Sequence, residues 1–293
     1  MEQKTIYALG FFDGVHLGHQ TILYACRRLA EQTGAATGAI TFENHPQSLF
    51  VKDCPKLINT TADRCSLLRQ YGMDTILTYP VTPAVMGIPW RNFLMELYRN
   101  YGAAGFVCGD DFRFGHKGEG NCHRLQEFCK EFGLSCIIVP QQDLDGSRIS
   151  STRIRDLLEM GQLEQANRLL GHPHFLTAVV QAGKQLGRTI GVPTANLVFP
   201  EGLIIPKFGV YATKVVTDGK EYLAVTNIGT RPTVAGEGIT VEAHLLDFAG
   251  DLYGKGITVI FYEFLRPEQK FADLDALKTQ IAADVAQVRA VLK

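Results

Sequence analysis

Two histidines three residues apart, His16 and His19, enclose Gly18 in an H-x-G-H pattern, and Asp13-Gly14 makes a tight turn just upstream. An apolar run at 6–9 leads in, while Ile22, Leu23, Cys26, Leu29 and Ala30 lead out at helical spacing. The stretch reads as strand, glycine-rich turn, helix. Backbone N–H groups of such a turn, with the positive end of the helix, suit a phosphate. The histidines alone would also fit an ordinary turn or half a metal site. The flanking elements, with Gly10, Gly14 and Gly18 where backbone must approach a ligand, favour the anion.

Three other stretches carry chemistry. In 146–158, Ser150, Ser151 and Thr152 precede a helix whose first turn carries Arg153 and Arg155, with Arg148 just before. A helix cap explains one hydroxyl; three hydroxyls with these arginines suit a phosphate clamp, because the guanidinium fork matches phosphate oxygens. In 183–197, Gly183, Gly187, Gly191 and Pro193 lie between strands, with Arg188 among them. That is more glycine than a hairpin needs, and such a flap can fold over phosphates with its N–H groups. Thr194 and Asn196, two apart at a strand start, project to one face and suit Mg²⁺ shared with phosphate oxygens. In 241–248 the strand alternation puts Glu242, His244 and Leu246 on one face, so Glu242 is either a general base or part of a solvated face.

The elements that position these residues change character midway. Strands at 6–9, 37–42, 75–79, 106–108 and 135–139 alternate with helices at 62–71, 83–101 (interrupted at 87–89) and 122–132, the pattern of a doubly wound parallel sheet. In such sheets ligands bind beyond the carboxyl ends of the strands. That rule gathers three loops: 10–19 with Phe11, 43–46 following Phe42 and holding His45, and 109–121 with Asp111 and Asn121. A helix pair over 156–170 closes this half. From 175 onward come short β-branched or aromatic runs at 176–181, 194–199, 209–216 (with Tyr211), 222–228, 239–246 and 257–264, which predict a small antiparallel barrel. Leu274, Leu277, Ile281, Val285, Val288 and Leu292 predict a final helix packed on it. The expected domains are 1–170 and 171–293.

Composition sets the class. The 293 residues suit two domains, and a net charge of −1 gives no electrostatic case for nucleic acid. No apolar run is long enough for a bilayer span. The first residues enter a strand without a signal-peptide core, and the seven cysteines include no C-x-x-C pair. A cytoplasmic protein with reduced thiols is expected.

The motifs taken together resemble a known family. Gly-Phe-Phe-Asp-Gly-Val-His-Leu-Gly-His, Thr-Phe-Glu-x-His-Pro, Asp-Phe-Arg-Phe-Gly and Ile-Ser-Ser-Thr-Arg-Ile-Arg resemble the adenylyltransferase half of bacterial bifunctional FAD synthetases. Gly-Arg-x-x-Gly-x-Pro-Thr-Ala-Asn, Gly-Val-Tyr-Ala, Asn-Ile-Gly-Thr-Arg-Pro-Thr and Glu-x-His-Leu-Leu-Asp-Phe resemble the riboflavin kinase module that accompanies it. Asn44 and Ala178 depart from the family pattern. The resemblance implies a nucleotidyltransferase-like (Rossmann-like) α/β domain and a β-barrel kinase domain with a terminal helix. It implies phosphorylation of riboflavin to FMN by ATP, then adenylyl transfer from ATP to FMN, giving FAD and pyrophosphate.

By that resemblance Glu242 is the kinase base, Thr194 and Asn196 bind Mg-ATP, and Gly183, Gly187, Arg188, Gly191, Pro193 and Tyr211 bind nucleotide or flavin. In the other half His16, His19, Arg148 and Ser151 are catalytic. Gly10, Phe11, Asp13, Gly14, Gly18, Phe42, His45, Asp111, Asn121, Ser150, Thr152 and Arg155 then bind ATP or FMN. Riboflavin, FMN and ATP are the implied small-molecule partners, with apo-flavoproteins as recipients of FMN or FAD, a homo-oligomer as a further option, and neither nucleic acid nor membrane. Two readings compete: an adenylyltransferase for another small phosphate whose barrel only binds, which the 183–197 flap and Glu242 speak against, and a flavin carrier without turnover, which His16, His19, Thr194, Asn196 and Glu242 speak against.

Overall fold

A computed structural model describes residues 4–182, 191–233 and 236–292. The chain forms two compact units, Met1–Ser151 and Thr152–Lys293.

In the first unit β1 (Thr5–Leu9) leads through a 3-10 turn, Asp13–Val15, into α1 (Leu17–Thr33). There follow β2 (Ala36–Phe42), α2 (Thr61–Gln70), β3 (Thr75–Tyr79), α3 (Pro83–Met86), α4 (Trp90–Asn100), β4 (Ala103–Gly109), α5 (Cys122–Phe132) and β5 (Ser135–Val139). The strands pair in the order β3-β2-β1-β4-β5, every neighbour parallel. The order reverses between β1 and β4, which opens a crevice at their carboxyl ends.

Local chemistry explains the boundaries. Gly34 ends α1 in the left-handed region at φ 65°, its N–H donating to the Ala30 carbonyl. Thr60 caps α2 and Asn121 caps α5, each accepting from the third backbone N–H beyond it. The break between α3 and α4 falls at Gly87–Pro89, because proline cannot continue the hydrogen-bond ladder. Tyr7, Leu9, Ile40, Phe106, Leu94, Leu97 and Phe128 fill the core on one sheet face. A two-stranded hairpin, β6 (Asp143–Leu144) with β7 (Ser147–Arg148), is an addition to the expected elements.

α6 (Ser151–Met160), whose first residue ends the first unit, and α7 (Leu163–Leu170) precede the barrel, so the helix pair starts five residues earlier than its apolar spacing suggests. The barrel strands are β8 (His174–Gln181), β9 (Ala195–Val198), β10 (Gly209–Thr217), β11 (Lys220–Thr233), β12 (Gly236–Leu245) and β13 (Gly256–Arg266). They close in the order β10-β11-β12-β9-β8-β13, which leaves no open sheet edge among the described residues. Asp218 and Gly219, both at positive φ, make the two-residue turn between β10 and β11. Val241, Ala243, Thr226 and Ile228 point inward and are fully buried.

The last helix, α8 (Leu274–Val291), packs Val285, Val288 and Leu292 against Val210, Ala212, Val225 and Leu246. A bidentate pair holds it: Arg266 Nε and Nη2 donate to Asp284 at 2.9 and 2.7 Å. Leu274 departs from the expected apolar stripe; it is exposed, because it opens the helix at its first position.

Candidate active sites

The turn after β1 is strained. Phe12 and Val15 have φ of 57° and 40°, a region that residues with a Cβ rarely adopt. Phe12 is fully buried, and its ring closes over Gly10, where an added Cβ would lie 2.8 Å from the ring. A larger residue there would force the buried Phe12 ring to shift. Asp13 is also buried, and its Oδ1 accepts from Ile58 N–H at 2.9 Å. This carboxylate ties the turn to the loop before α2.

His16 caps α1, its Nδ1 accepting from His19 N–H at 3.3 Å. The two imidazoles stack, with ring centroids 3.6 Å apart and planes 12° from parallel, and the edge of Phe12 meets His19 at 5.3 Å. Burial, then the charge of His16 and of Arg64, hold the His19 imidazolium well below its ordinary range. These effects favour the neutral ring. Ser151, first residue of α6, donates its Oγ to the Asp13 carbonyl at 3.0 Å. That bond joins the two phosphate-type motifs across 138 positions of sequence.

Two cavities open at the carboxyl ends of the strands. A polar one of about 220 Å³ is lined by His16, Gly18, His19, Arg148, Ser150 and Ser151, with Gly109–Asp111 and Val139–Gln142 completing it. Arg148 Nη2 meets Asp111 Oδ2 at 2.5 Å across its mouth, both side chains half exposed. An apolar cavity of about 340 Å³ is lined by Gly10, Phe11, Phe42, Tyr79, Met86, Phe93, Phe112 and Phe114, among others. Asp111 borders both.

Other expected residues lie elsewhere. His45 and Asn121 line neither cavity: His45 caps a 3-10 turn and meets the Phe11 ring edge-on at 5.2 Å, and Asn121 caps α5. Gly14 is buried inside the turn at φ 80°. Thr152 is exposed and Arg155 buried on α6.

The barrel carries a second arrangement. Asn196 of β9 stands opposite Glu242 of β12, and Glu242 opposite Asn227 of β11. Directly opposed residues share a face, so Asn196, Glu242 and Asn227 form one row on the outer face, between inward Val241 and Ala243. Asn227 donates to Glu268 Oε1 at 3.0 Å. Asn196 Nδ2 lies 3.4 Å from Thr194 Oγ1, so the two expected metal-binding residues touch.

His244 Nδ1 donates to the Pro193 carbonyl at 2.8 Å and fixes the Pro-Thr-Ala-Asn turn. Pro193 and Thr194 line a cavity of about 80 Å³ with Val180, Leu245, Phe248 and Gly250–Tyr253. Gly191, at φ 79°, occupies a conformation that favours glycine. Tyr211 is buried inside the barrel, its hydroxyl donating to the Lys207 carbonyl. Gly183, Gly187 and Arg188 lie outside the described residues.

Among the described residues no cluster of three or more His, Cys, Asp or Glu side chains could hold a metal ion. The hydroxyl oxygen of Thr194 and the amide oxygen of Asn196, on neighbouring side chains, are hard, neutral ligand atoms. That set fits Mg²⁺ only as a partial ligand shell, with phosphate oxygens and water supplying the rest. Motif reading singled out neither Asn227 nor His244 as a site residue. Both sit within the recognised stretches, and their strand partners were the available signal.

Comparison with known proteins matches both halves. The FAD synthetase family model covers residues 1–153 and the riboflavin kinase model residues 170–292. The bifunctional riboflavin kinase/FMN adenylyltransferase of Pseudomonas fluorescens is 38% identical over 288 residues, 98% of this chain and 92% of that protein. The protein so named in Escherichia coli (strain K12) is 38% identical over 291 residues, 98% of this chain and 93% of that one. A crystal structure described as a macrolide-efflux protein from Streptococcus pneumoniae superposes with a TM-score of 0.88 at 29% identity, covering 99% of this chain and 95% of that one. Among the described residues no helix is long and apolar enough to cross a membrane.

Proposed function

The chain belongs to the bifunctional riboflavin kinase/FMN adenylyltransferase family, and from that premise we infer how its two sites divide the synthesis of FAD. The C-terminal half phosphorylates riboflavin with ATP to give FMN. The N-terminal half transfers the adenylyl group of a second ATP to FMN, releasing pyrophosphate. We assign these steps to 171–293 and 1–170, working in a cytoplasm that keeps the seven free thiols reduced.

In the kinase site Glu242 takes the proton of the ribityl 5′-hydroxyl as that oxygen attacks the γ-phosphorus. The bond to ADP breaks, and the phosphoryl group passes to the flavin. Thr194 and Asn196 would hold Mg²⁺ together with the phosphates, and the ion would supply charge neutralisation on the phosphoryl oxygens. The observation that carries this assignment is the strand register that puts Glu242 directly between Asn196 and Asn227. His244 keeps Thr194 in place through the Pro193 carbonyl.

In the adenylyltransferase site an FMN phosphate oxygen attacks the α-phosphorus of ATP and the bond to pyrophosphate breaks. The nucleophile is already an anion and needs no base. Catalysis there is positioning and electrostatics. The polar cavity takes the triphosphate against His16, His19, Ser151 and the start of α1. Arg148 exchanges its exposed partner Asp111 for phosphate, an exchange that costs little because exposed ion pairs contribute at most about 1 kcal/mol. The adjoining apolar cavity, walled by Phe11, Phe42 and Phe112, takes the isoalloxazine ring.

One chromatographic time course of riboflavin, FMN and FAD with Mg-ATP tests the reading. FMN should rise first and FAD follow. Absence of FMN would remove the kinase assignment, and FMN without FAD would remove the other.

A further inference from the structure

Arg64, on α2, belongs to none of the recognised motifs. Its side chain is fully enclosed, 0% exposed. Among the described residues Nε and Nη1 have no hydrogen-bond partner, while Nη2 donates to the Phe42 carbonyl and lies 3.4 Å from Thr61 Oγ1. Its guanidinium carbon stands 4.7 Å from the centre of the Phe11 ring. A cation enclosed with most of its donors unused is an expensive way to fill space, and an apolar side chain of similar volume packs better. Stability therefore does not explain it.

Its neighbours suggest what does. Phe11 and Phe42 both line the apolar cavity, and Phe11 belongs to the turn that continues into His16 and His19. The charged or titratable groups acting on Arg64 are the Asp13 carboxylate and the Cys65 thiol, which favour its charged form against the effect of burial. The charge in turn reaches His19. Arg64 lines neither cavity, so it acts through the wall.

We propose that Arg64 is a positioning residue of adenylyl transfer: from behind, it braces Phe11 and the chain after Phe42, and it fixes a positive charge beneath the H-x-G-H turn where phosphate binds. This rests on the adenylyltransferase reading of that turn. A charge already in place, in a medium of low dielectric, attracts the polyphosphate without reorganising when it arrives.

The test uses the full chain with Arg64→Met, Arg64→Gln and Arg64→Lys. Three quantities are measured: FMN formation, the kcat and KM of FAD formation from FMN and ATP, and the binding of Mg-pyrophosphate. Arg64→Met and Arg64→Gln should raise KM for ATP and weaken pyrophosphate binding by about tenfold or more, while FMN formation stays within twofold. Arg64→Lys keeps the charge and should recover most of the pyrophosphate affinity, although it loses the guanidinium's contact with Phe11. Wild-type pyrophosphate affinity in a folded Arg64→Met or Arg64→Gln protein overturns the proposal. So does an Arg64→Lys protein no better than the neutral variants. If the wild-type chain makes FMN but no FAD, the adenylyltransferase reading itself fails and the proposal falls with it. Should Arg64→Met not fold, the comparison of Arg64→Gln with Arg64→Lys decides.

Discussion

Replacing His174 with phenylalanine should flatten the acid side of the barrel's stability profile. His174 opens β8, is 4% exposed, and lies with its ring 5.7 Å from that of Phe261. Its Nδ1 is enclosed without a hydrogen-bond partner among the described residues. Burial, with a smaller contribution from His172, lowers the imidazole from its ordinary 6.5 to about 3. Between those values the unfolded chain binds a proton that the folded chain refuses, so stability rises with pH, by about 1.4 kcal/mol per pH unit. The stabilising effect is complete above pH 6.5 and is lost progressively as pH falls toward 3. From pH 7.5 to pH 5.0 this group alone should remove about 2 kcal/mol.

The assay is urea unfolding of the full chain at both pH values, following hydrogen-exchange protection of peptides covering residues 174–181. Carboxylates titrate in both proteins and cancel in the difference. Wild type should lose about 2 kcal/mol more than His174→Phe on going from pH 7.5 to 5.0. An equal loss in both would refute the claim that burial holds this imidazole neutral, whatever the variant's stability at pH 7.5.

Two further outcomes follow from the same geometry. Asp284→Asn should destabilise the second unit by roughly 3 kcal/mol, because it takes the paired carboxylate from a largely buried Arg266; thermal unfolding measures this, and a loss below about 0.5 kcal/mol, the size of an ordinary surface substitution, would contradict it. The Cys26 thiol is pushed up to about 12 by burial under the first sheet. Iodoacetamide at pH 8 should therefore modify the partly exposed Cys54 and leave Cys26 unmodified until the protein is unfolded, as peptide mass spectrometry would read.

Much of this was legible in the chain because it depends on local rules. The alternation of apolar runs with helical spacing predicted the parallel sheet, and the proline at 89 marked the break between α3 and α4. The short β-branched runs after residue 175 marked each barrel strand to within a few residues. The row Asn196–Glu242–Asn227 was half visible: strand alternation put Glu242 and His244 on one face, but which residue stands opposite depends on register, and register depends on the whole barrel. Arg64 and His174 were not visible. Both are polar residues whose burial follows from how α2 or β8 packs against distant segments, and no spacing rule marks them. The H-x-G-H turn shows the same limit from the other side. Its spacing pointed to a phosphate, whereas only the fold shows His16 Nδ1 occupied as a helix cap and the His19 ring buried and stacked against it.

The central claim is that one chain holds two independent sites, and paired substitutions test it most directly. With riboflavin and Mg-ATP, His16→Ala should form FMN at close to the wild-type rate and no FAD. Glu242→Ala should form no FMN, yet make FAD when FMN is supplied. If either substitution stops both reactions in a folded protein, the assignment of the two steps to separate sites is wrong.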